Sequence, residues 1–461
     1  MNAARPLRLG LLVNWRQFTL LVIVNAFVGA MLGLERTVVP LIASHDFGLT
    51  SVSVTLSFII SFGIVKALAN LFAGRSSDRF GRKPLLVAGW LIGLPVPLIV
   101  MIAPRWEWIV FANILLGINQ GLCWSAAVIM KIDLVGPAQL GRATGLNEFA
   151  GYLAMALSTV ASGWIAAQTA LRPYPFYMGV VFAISGLLLS VFFVRETRAY
   201  ARQEAAQHPV TNNQETPSFW TIFRQVSWQD KTFFSLSQSG LVNNLNDVVI
   251  WGLLPLLAVK AGVSVVQAAA LGGMYLGIWG ISQLVTGPLS DRIGRKLLIT
   301  GGLWVQTIGI ALFVLSSGQL PWLLATAVMG LGTGMVYPTL LAAISDVAHP
   351  SWRASALGVY RLWRDSGYAF GALMGGVLSD WFGIRLAVAA IALLTVLSGF
   401  ITFVLLPETA FHKGPLWSKD APRFEAATPP QTNSTTGVVR TGESYDTRGE
   451  LKWEQSPNEP D

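Results

Sequence analysis

A single cysteine, Cys123, stands in 461 residues, so no disulfide can form within the chain. Its bland reading is a small buried apolar residue. Histidines number four, His45, His208, His349 and His412, and all lie outside the long apolar runs. No metal cluster and no nucleophile–base pair emerges from them, so neither an enzyme, a metal nor a cofactor is expected. No Gly-x-x-x-x-Gly-Lys-Ser/Thr string occurs, which speaks against direct use of ATP. Charge is scarce as well. Asp, Glu, Lys and Arg make up 12% of the chain, against about 25% in a soluble domain.

Apolar residues fill the gap: they are 53% of the chain, and mean hydropathy is +0.55. They gather in runs near 16–43, 51–73, 84–103, 107–130, 143–169, 174–194, 232–259, 266–288, 297–316, 320–344, 354–380 and 384–406. Each run has about the 20 residues a helix needs to cross a bilayer. None alternates as a barrel strand does. The fold class expected is an all-α integral membrane protein of twelve transmembrane helices, with the lipid bilayer as its partner. The run after Arg5, Arg8 and Arg16 is too long for a signal-peptide core and reads as a retained first helix.

The net charge of +8 does not point to nucleic acid, because the basic residues are segregated. Arg75, Arg79, Arg82, Lys83, Arg292, Arg295 and Lys296 crowd two loops, while 44–50 and 317–320 carry no Lys or Arg. This bias places both termini and both loops on the cytoplasmic side of a plasma or bacterial inner membrane.

Those two loops are copies. Gly74-Arg75-Ser76-Ser77-Asp78-Arg79-Phe80-Gly81-Arg82-Lys83 returns at 287 as Gly287-Pro288-Leu289-Ser290-Asp291-Arg292-Ile293-Gly294-Arg295-Lys296. The repeat extends further. Gly117, Gly121, Trp124, Asp133 and Pro137 map onto Gly330, Gly334, Tyr337, Asp346 and Pro350. Arg142 maps onto Arg353, and Glu196-Thr197 onto Glu408-Thr409. Six parallel-repeated helices per half is a transporter plan. The expected division is 1–198 and 232–410 as two pseudo-symmetric six-helix bundles, joined by a cytoplasmic linker at 199–231. A tail at 411–461, rich in Pro, Thr, Ser and charge, cannot offset its ordering entropy and is expected to be disordered. The sequon at Asn433 in that cytoplasmic tail is discounted.

The Gly74–Lys83 loop resembles the signature Gly-x-x-x-Asp-Arg-x-Gly-Arg-Lys of the major facilitator superfamily, between helices 2 and 3. The 287–296 copy resembles the equivalent loop between helices 8 and 9. The resemblance implies that Asp78 meets the start of helix 11 and locks one state of the carrier. A carboxylate at a helix N-terminus is stabilised by the dipole and the unpaired N–H groups. Gly74 and Gly81 would permit close approach and a tight turn, and Arg79, Arg82 and Lys83 would pair with acids at neighbouring helix ends. Asp291, Arg292 and Arg295 hold the matching places in the second loop. Asp133 with Arg142, and Asp346 with Arg353, are expected to form a cytoplasmic gating ring, against simple interfacial solvation. The helix-4 string Gly117-Ile118-Asn119-Gln120-Gly121 keeps the Gln-Gly of the drug-exporter motif but not its arginine. The subfamily is therefore open.

Ionisable residues inside spans are functional candidates. Glu35, Lys66, Glu148, Asp247, Arg361 and Asp365 are the coupling candidates, with Arg36 and Arg364 beside them. Arg361 and Asp365 are four apart and can pair on one helix face. The resemblance sets helices 2 and 11 side by side, where Lys66 could meet Asp365, as a static pair or as one that breaks when the halves rock. The knot Asn243-Asn244-Leu245-Asn246-Asp247 suggests a broken or cavity-lining turn. Asn25, Asn119, Gln120, Trp124, Asn243, Asn244 and Tyr337 are the substrate-cavity candidates, against a plain helix–helix hydrogen-bonding role.

The expectation is a secondary active transporter for a small molecule, working as a monomer by alternating access. Proton coupling is preferred, with a lean to an anionic or amphipathic organic substrate. The alternatives are a facilitative uniporter and a non-transporting membrane receptor.

Overall fold

The apolar runs fold as helices, and the computed structural model describes residues 9–135, 140–201, 217–348 and 352–410. Within its helices the side chains of Gly74, Arg75, Asp78 and 140–144 lie outside the described residues. The helices are α1 (Trp15–His45), α2 (Ser57–Phe80), α3 (Arg82–Ile102), α4 (Trp106–Val135), α5 (Leu140–Gln168) and α6 (Phe176–Phe192). The second set is α7 (Lys231–Lys260), α8 (Val265–Ile293), α9 (Arg295–Leu315), α10 (Gln319–Val347), α11 (Arg353–Phe382) and α12 (Ile384–Leu405). No strand occurs among the described residues. Nine of these helices are long and apolar enough to cross a bilayer. The other three expected spans do not meet that test among the described residues: Ser57–Ala73 of α2 and Phe176–Phe192 of α6 are apolar but shorter, and α11 carries charge.

Burial runs opposite to that of a soluble protein. Ile102, Leu315 and Val404 are 77%, 85% and 74% exposed, while Asn119, Gln120, Asn246 and Asp247 are fully buried. Apolar side chains face lipid and polar ones pair inside, as a solvent without hydrogen bonds requires.

Two helices depart from regularity where charge sits. The α1 helix lapses at Leu34, and Pro40 leaves the carbonyl of Arg36 without its helical donor. The α7 helix widens to a π-turn over Val249–Leu253, which begins two residues after Asp247. Such turns cluster at functional sites.

The two copied loops turn alike. Gly81 and Gly294 have φ of 103° and 102°, a region that only glycine occupies readily. Each also lacks room for a side chain: a Cβ would sit 2.8 Å from Glu196 Oε2 at Gly81 and closer still to Glu408 Oε2 at Gly294. The turns open the first backbone N–H groups of the next helix towards those carboxylates. Glu196 accepts from the N–H of Arg82 (3.1 Å) and Lys83 (2.9 Å), and Glu408 from Arg295 (2.8 Å) and Lys296 (3.2 Å). Burial pushes the Glu196 carboxyl up, but the N–H groups of Lys83, Arg198, Arg82 and Thr197 outweigh it and hold it below the usual range.

Helices α2 and α11 join the first repeat to the second, antiparallel. A Cβ on Gly63 would lie 2.7 Å from the Ala369 nitrogen, and one on Gly376 2.6 Å from Ser53 Cα. Beyond them Asp380 caps the short helix Val52–Thr55, accepting from Ser51 Oγ (2.8 Å) and from the N–H of Val52 (2.6 Å) and Ser53 (3.1 Å). The end of the molecule opposite the copied loops is thus clamped between repeats.

Candidate functional site

Midway along α2 and α11 the two helices carry charge where they face each other. Lys66 Nζ lies 4.0 Å from Asp365 Oδ1. Asp365 also accepts from Asn70 Nδ2 at 2.5 Å, Arg364 Nη1 at 2.8 Å and, more weakly, Asn244 Nδ2 at 3.5 Å. The expected pairing of Arg361 with Asp365 is not what forms. The carboxylate turns to Arg364 and to α2, and Arg361 keeps no acidic partner within 4.0 Å among the described residues.

These groups border a narrow cavity of about 20 Å³, room for about one water molecule. Both repeats line it. Leu32, Lys66, Asn70, Trp124, Tyr152 and Met155 come from the first, and Tyr337, Arg361, Arg364, Asp365 and Tyr368 from the second. Arg364 is 5% exposed. Its guanidinium lies 4.1 Å from the Tyr337 ring centre, and its Nη2 donates to the Tyr152 hydroxyl at 3.3 Å. Its Nε has no hydrogen-bond partner among the described residues. Lys66 sits over Phe62 and Tyr368 at 5.4 and 5.2 Å. A cation on aromatic faces is a means of holding charge out of water.

Nearer the clamped end, Arg36 and Asp247 pair across the repeats, both fully buried. The Arg36 guanidinium also lies 5.0 Å from the Trp251 ring, in the π-turn of α7. Trp251 packs edge-on against Phe62 and Tyr368, so this pair touches the cavity wall through one layer of rings. Glu35, next in the chain, is buried in the first repeat beside Asn113.

A third cluster is confined to the first repeat. Asn147 bridges two charges. Its Oδ1 accepts from Lys131 Nζ, and its Nδ2 donates to Glu148 Oε1 at 2.9 Å. Trp124 Nε1 donates to the same oxygen at 3.0 Å. Lys131 donates also to the Leu21 carbonyl at 3.1 Å.

Several cavity candidates lie elsewhere. Asn119 donates to Gly89 O, Gln120 to Val28 O and Asn25 to Asn147 O, each tying helices of the first repeat. Asn243 and Asn246 both bind Gln306 of α9, at 2.6 and 2.5 Å. Helical spacing explains the split in the knot: 243 and 246 share one face, and 244 and 247 the next. Only Asn244 and Asp247 turn to the charges at the seam. Of the seven candidates, Trp124 and Tyr337 line the cavity.

Arg142 of the expected gating ring lies outside the described side chains, and the other members pair as follows. Asp133 takes Arg82 Nε at 3.2 Å and Thr197 Oγ1 at 2.6 Å. Asp346 takes Arg295 Nε at 3.1 Å and Thr409 Oγ1 at 3.2 Å. Both pairs stay within one repeat, because the arginine after each positive-φ glycine reaches its aspartate first. Asp291 pairs with Arg295 at 2.7 Å, and Arg353 Nε donates to the carbonyl of Ala348, which ends α10, at 3.4 Å. Arg79 and Arg292 are exposed at the helix ends, and Lys83 Nζ donates to Val191 O at 2.8 Å. The side chains of Gly74, Asp78 and Arg142, together with His208, His349, His412, Asn433, 202–216 and the 411–461 tail, lie outside the described residues. Among the described residues no group of His, Cys, Asp and Glu is placed to hold a metal.

The chain matches the Major Facilitator Superfamily twice, over residues 20–243 and 236–442. It is 26% identical over 408 residues to the multidrug resistance protein MdtG of Citrobacter koseri, covering 85% of this chain and 94% of that one. It is 24% identical over 380 residues to a probable 4-methylmuconolactone transporter of Cupriavidus pinatubonensis, covering 79% and 83%. A shorter match, 30% over 157 residues, covers 34% of this chain and 38% of the inner membrane transport protein YnfM of Escherichia coli. In fold it resembles a D-xylose-proton symporter (TM-score 0.68, 17% identity, 85% and 98% covered). It resembles the nucleoside transporter NupG equally (TM-score 0.68, 13% identity, 85% and 100% covered). A doubled loop, a doubled carboxylate cap and a cavity lined by both repeats belong together: this multi-pass membrane chain is a member of the Major Facilitator Superfamily.

Proposed function

We propose that the protein is a proton-coupled secondary transporter, carrying a small anionic or amphipathic organic solute by alternating access. The observation that carries this is Asp365, buried at the seam and shared among Lys66, Asn70 and Arg364. A carboxylate in that position links protonation to the contact between repeats. Adding a proton removes the charge that holds Lys66 and Arg364, and so weakens the contact of α2 with α11. Asp247 and Glu148 are further proton candidates on the same logic. The bundles 1–198 and 232–410 are the moving bodies and 199–231 the connection. The copied loops face the cytoplasm with both termini, and the clamped end faces outward. One chain supplies the whole cavity, so the monomer is the working unit. The residues Asp78, Arg82, Asp133, Arg142 and their counterparts Asp291, Arg295, Asp346 and Arg353 shape the cytoplasmic gate.

Reconstituted vesicles test this. An imposed pH gradient should drive accumulation of a carried solute, and collapsing it with a proton ionophore should end accumulation. Asp365→Asn should abolish gradient-driven accumulation while leaving exchange of solute for solute. Transport indifferent to the gradient would mark a facilitative uniporter, and Asp365→Asn with full accumulation would remove the coupling role.

A further inference from the structure

Resting on the transporter reading, we propose that the cavity, closed here to about 20 Å³, opens during the transport cycle to bind an organic carboxylate, its head on Arg364 and Arg361 and its body against Tyr152 and Tyr337. The cavity is out of electrostatic balance. Its lining holds three cations, Lys66, Arg361 and Arg364, and one carboxylate, Asp365. Asp365 cannot serve all three: it is within 4.0 Å of Lys66 and Arg364 only. The next carboxylate, Glu148, sits behind Trp124 and is joined through Asn147 to its own cation, Lys131. Two buried cations, Lys66 and Arg364, share one carboxylate, and the partly exposed Arg361 adds a third positive charge, so the excess selects an anionic solute.

Arg364 supplies the docking edge. Two of its three nitrogens are committed, Nη1 to Asp365 and Nη2 to Tyr152, and the third, Nε, is buried with no partner among the described residues. An unpaired buried donor costs stability until something accepts from it. A carboxylate oxygen at Nε, with its charge shared by Arg361, meets that need. The remaining lining distinguishes an organic acid from an inorganic anion. Tyr337 stacks on the guanidinium at 4.1 Å, and Tyr152 packs on Trp124 and Trp279. With Leu32 and Met155 these surfaces offer apolar contact to a flat body. They offer little to hydrated phosphate or sulfate.

The test is binding to the purified full-length protein in lipid nanodiscs, read by calorimetry and thermal shift. The probes are benzoate, cinnamate, inorganic phosphate and tetraphenylphosphonium. Saturable binding is expected for at least one of the two aromatic acids, with phosphate and the phosphonium cation at least tenfold weaker. Arg364→Lys should weaken that binding at least tenfold and Arg361→Gln severalfold. Because Arg364 is buried, the unliganded melting temperature of each variant is compared with wild type. Arg361, partly exposed, gives the answer if Arg364→Lys fails to fold. Preferred binding of the cation or of phosphate, no binding of either acid, or acid binding unchanged in Arg361→Gln and in a folded Arg364→Lys would overturn the proposal. Binding of the acid without any flux in vesicles would sink the transporter reading and leave this one standing.

Discussion

The guanidinium of Arg36 and the carboxylate of Asp247 meet edge to edge, Nη1 to Oδ1 at 2.8 Å and Nη2 to Oδ2 at 2.6 Å. They come from α1 and α7, the opening helices of the two repeats. The pair closes the seam on the side of the cavity away from the copied loops. Removing one partner leaves a buried charge. Arg36→Ala or Asp247→Ala should therefore cost about 3–5 kcal/mol, seen as a lower unfolding temperature in detergent. The reversed pair, Arg36→Asp with Asp247→Arg, should regain a large part of the loss. Single variants as stable as wild type would show that the pair does not hold the seam.

The turn glycines make a separate prediction. Gly81→Ala and Gly294→Ala place a Cβ against Glu196 and Glu408 and force a side chain into φ near 100°. Each should destabilise by about 1–3 kcal/mol. A thermal scan checks it. Gly318→Ala serves as the comparison, since its φ of 98° and ψ of 166° are close to those of Gly81 but, among the described residues, a Cβ there meets nothing within 4 Å. Equal losses at Gly318 and Gly81 would mean that the fit to Glu196 contributes nothing.

Glu196 predicts an acid limb. Its carboxyl lies below the usual glutamate range in the folded chain. Its contribution is therefore fully present above the unfolded-state value of about 4.3 and fades as pH falls through the lower folded value. Glu196→Gln should be less stable than wild type at neutral pH, and the gap should narrow as the buffer is acidified below about pH 4. A gap that stays constant down to pH 3 would contradict this.

The sequence displayed the architecture because each apolar run and each copied loop is local. The Glu196-Thr197 and Glu408-Thr409 copies were legible as repeats, but their capping role was not, since the loop they serve lies more than a hundred positions away. Distance also hid the partner of Arg36, 211 residues along the chain. Lys131 escaped notice for another reason. It stands one residue past the expected end of the fourth span, where a lysine reads as an interfacial charge, yet it is 1% exposed. Counting α4 onward to Val135 would have exposed it. The asparagine knot shows the limit of composition. Four polar residues announced a special turn, and only the helical angle between them decides which face Gln306 and which face the seam.

Alternating access is the claim on which the rest depends, and paired spin-label distances test it most directly. One pair, His45→Cys with Phe382→Cys, spans the clamped end. The other, Phe80→Cys with Ile293→Cys, spans the loop end, and all four sites are exposed. Double electron–electron resonance in nanodiscs, across pH 8 to 5 and with an aromatic acid added, should show one distance lengthening as the other shortens. Two distances that stay fixed, or that rise and fall together, would contradict the account.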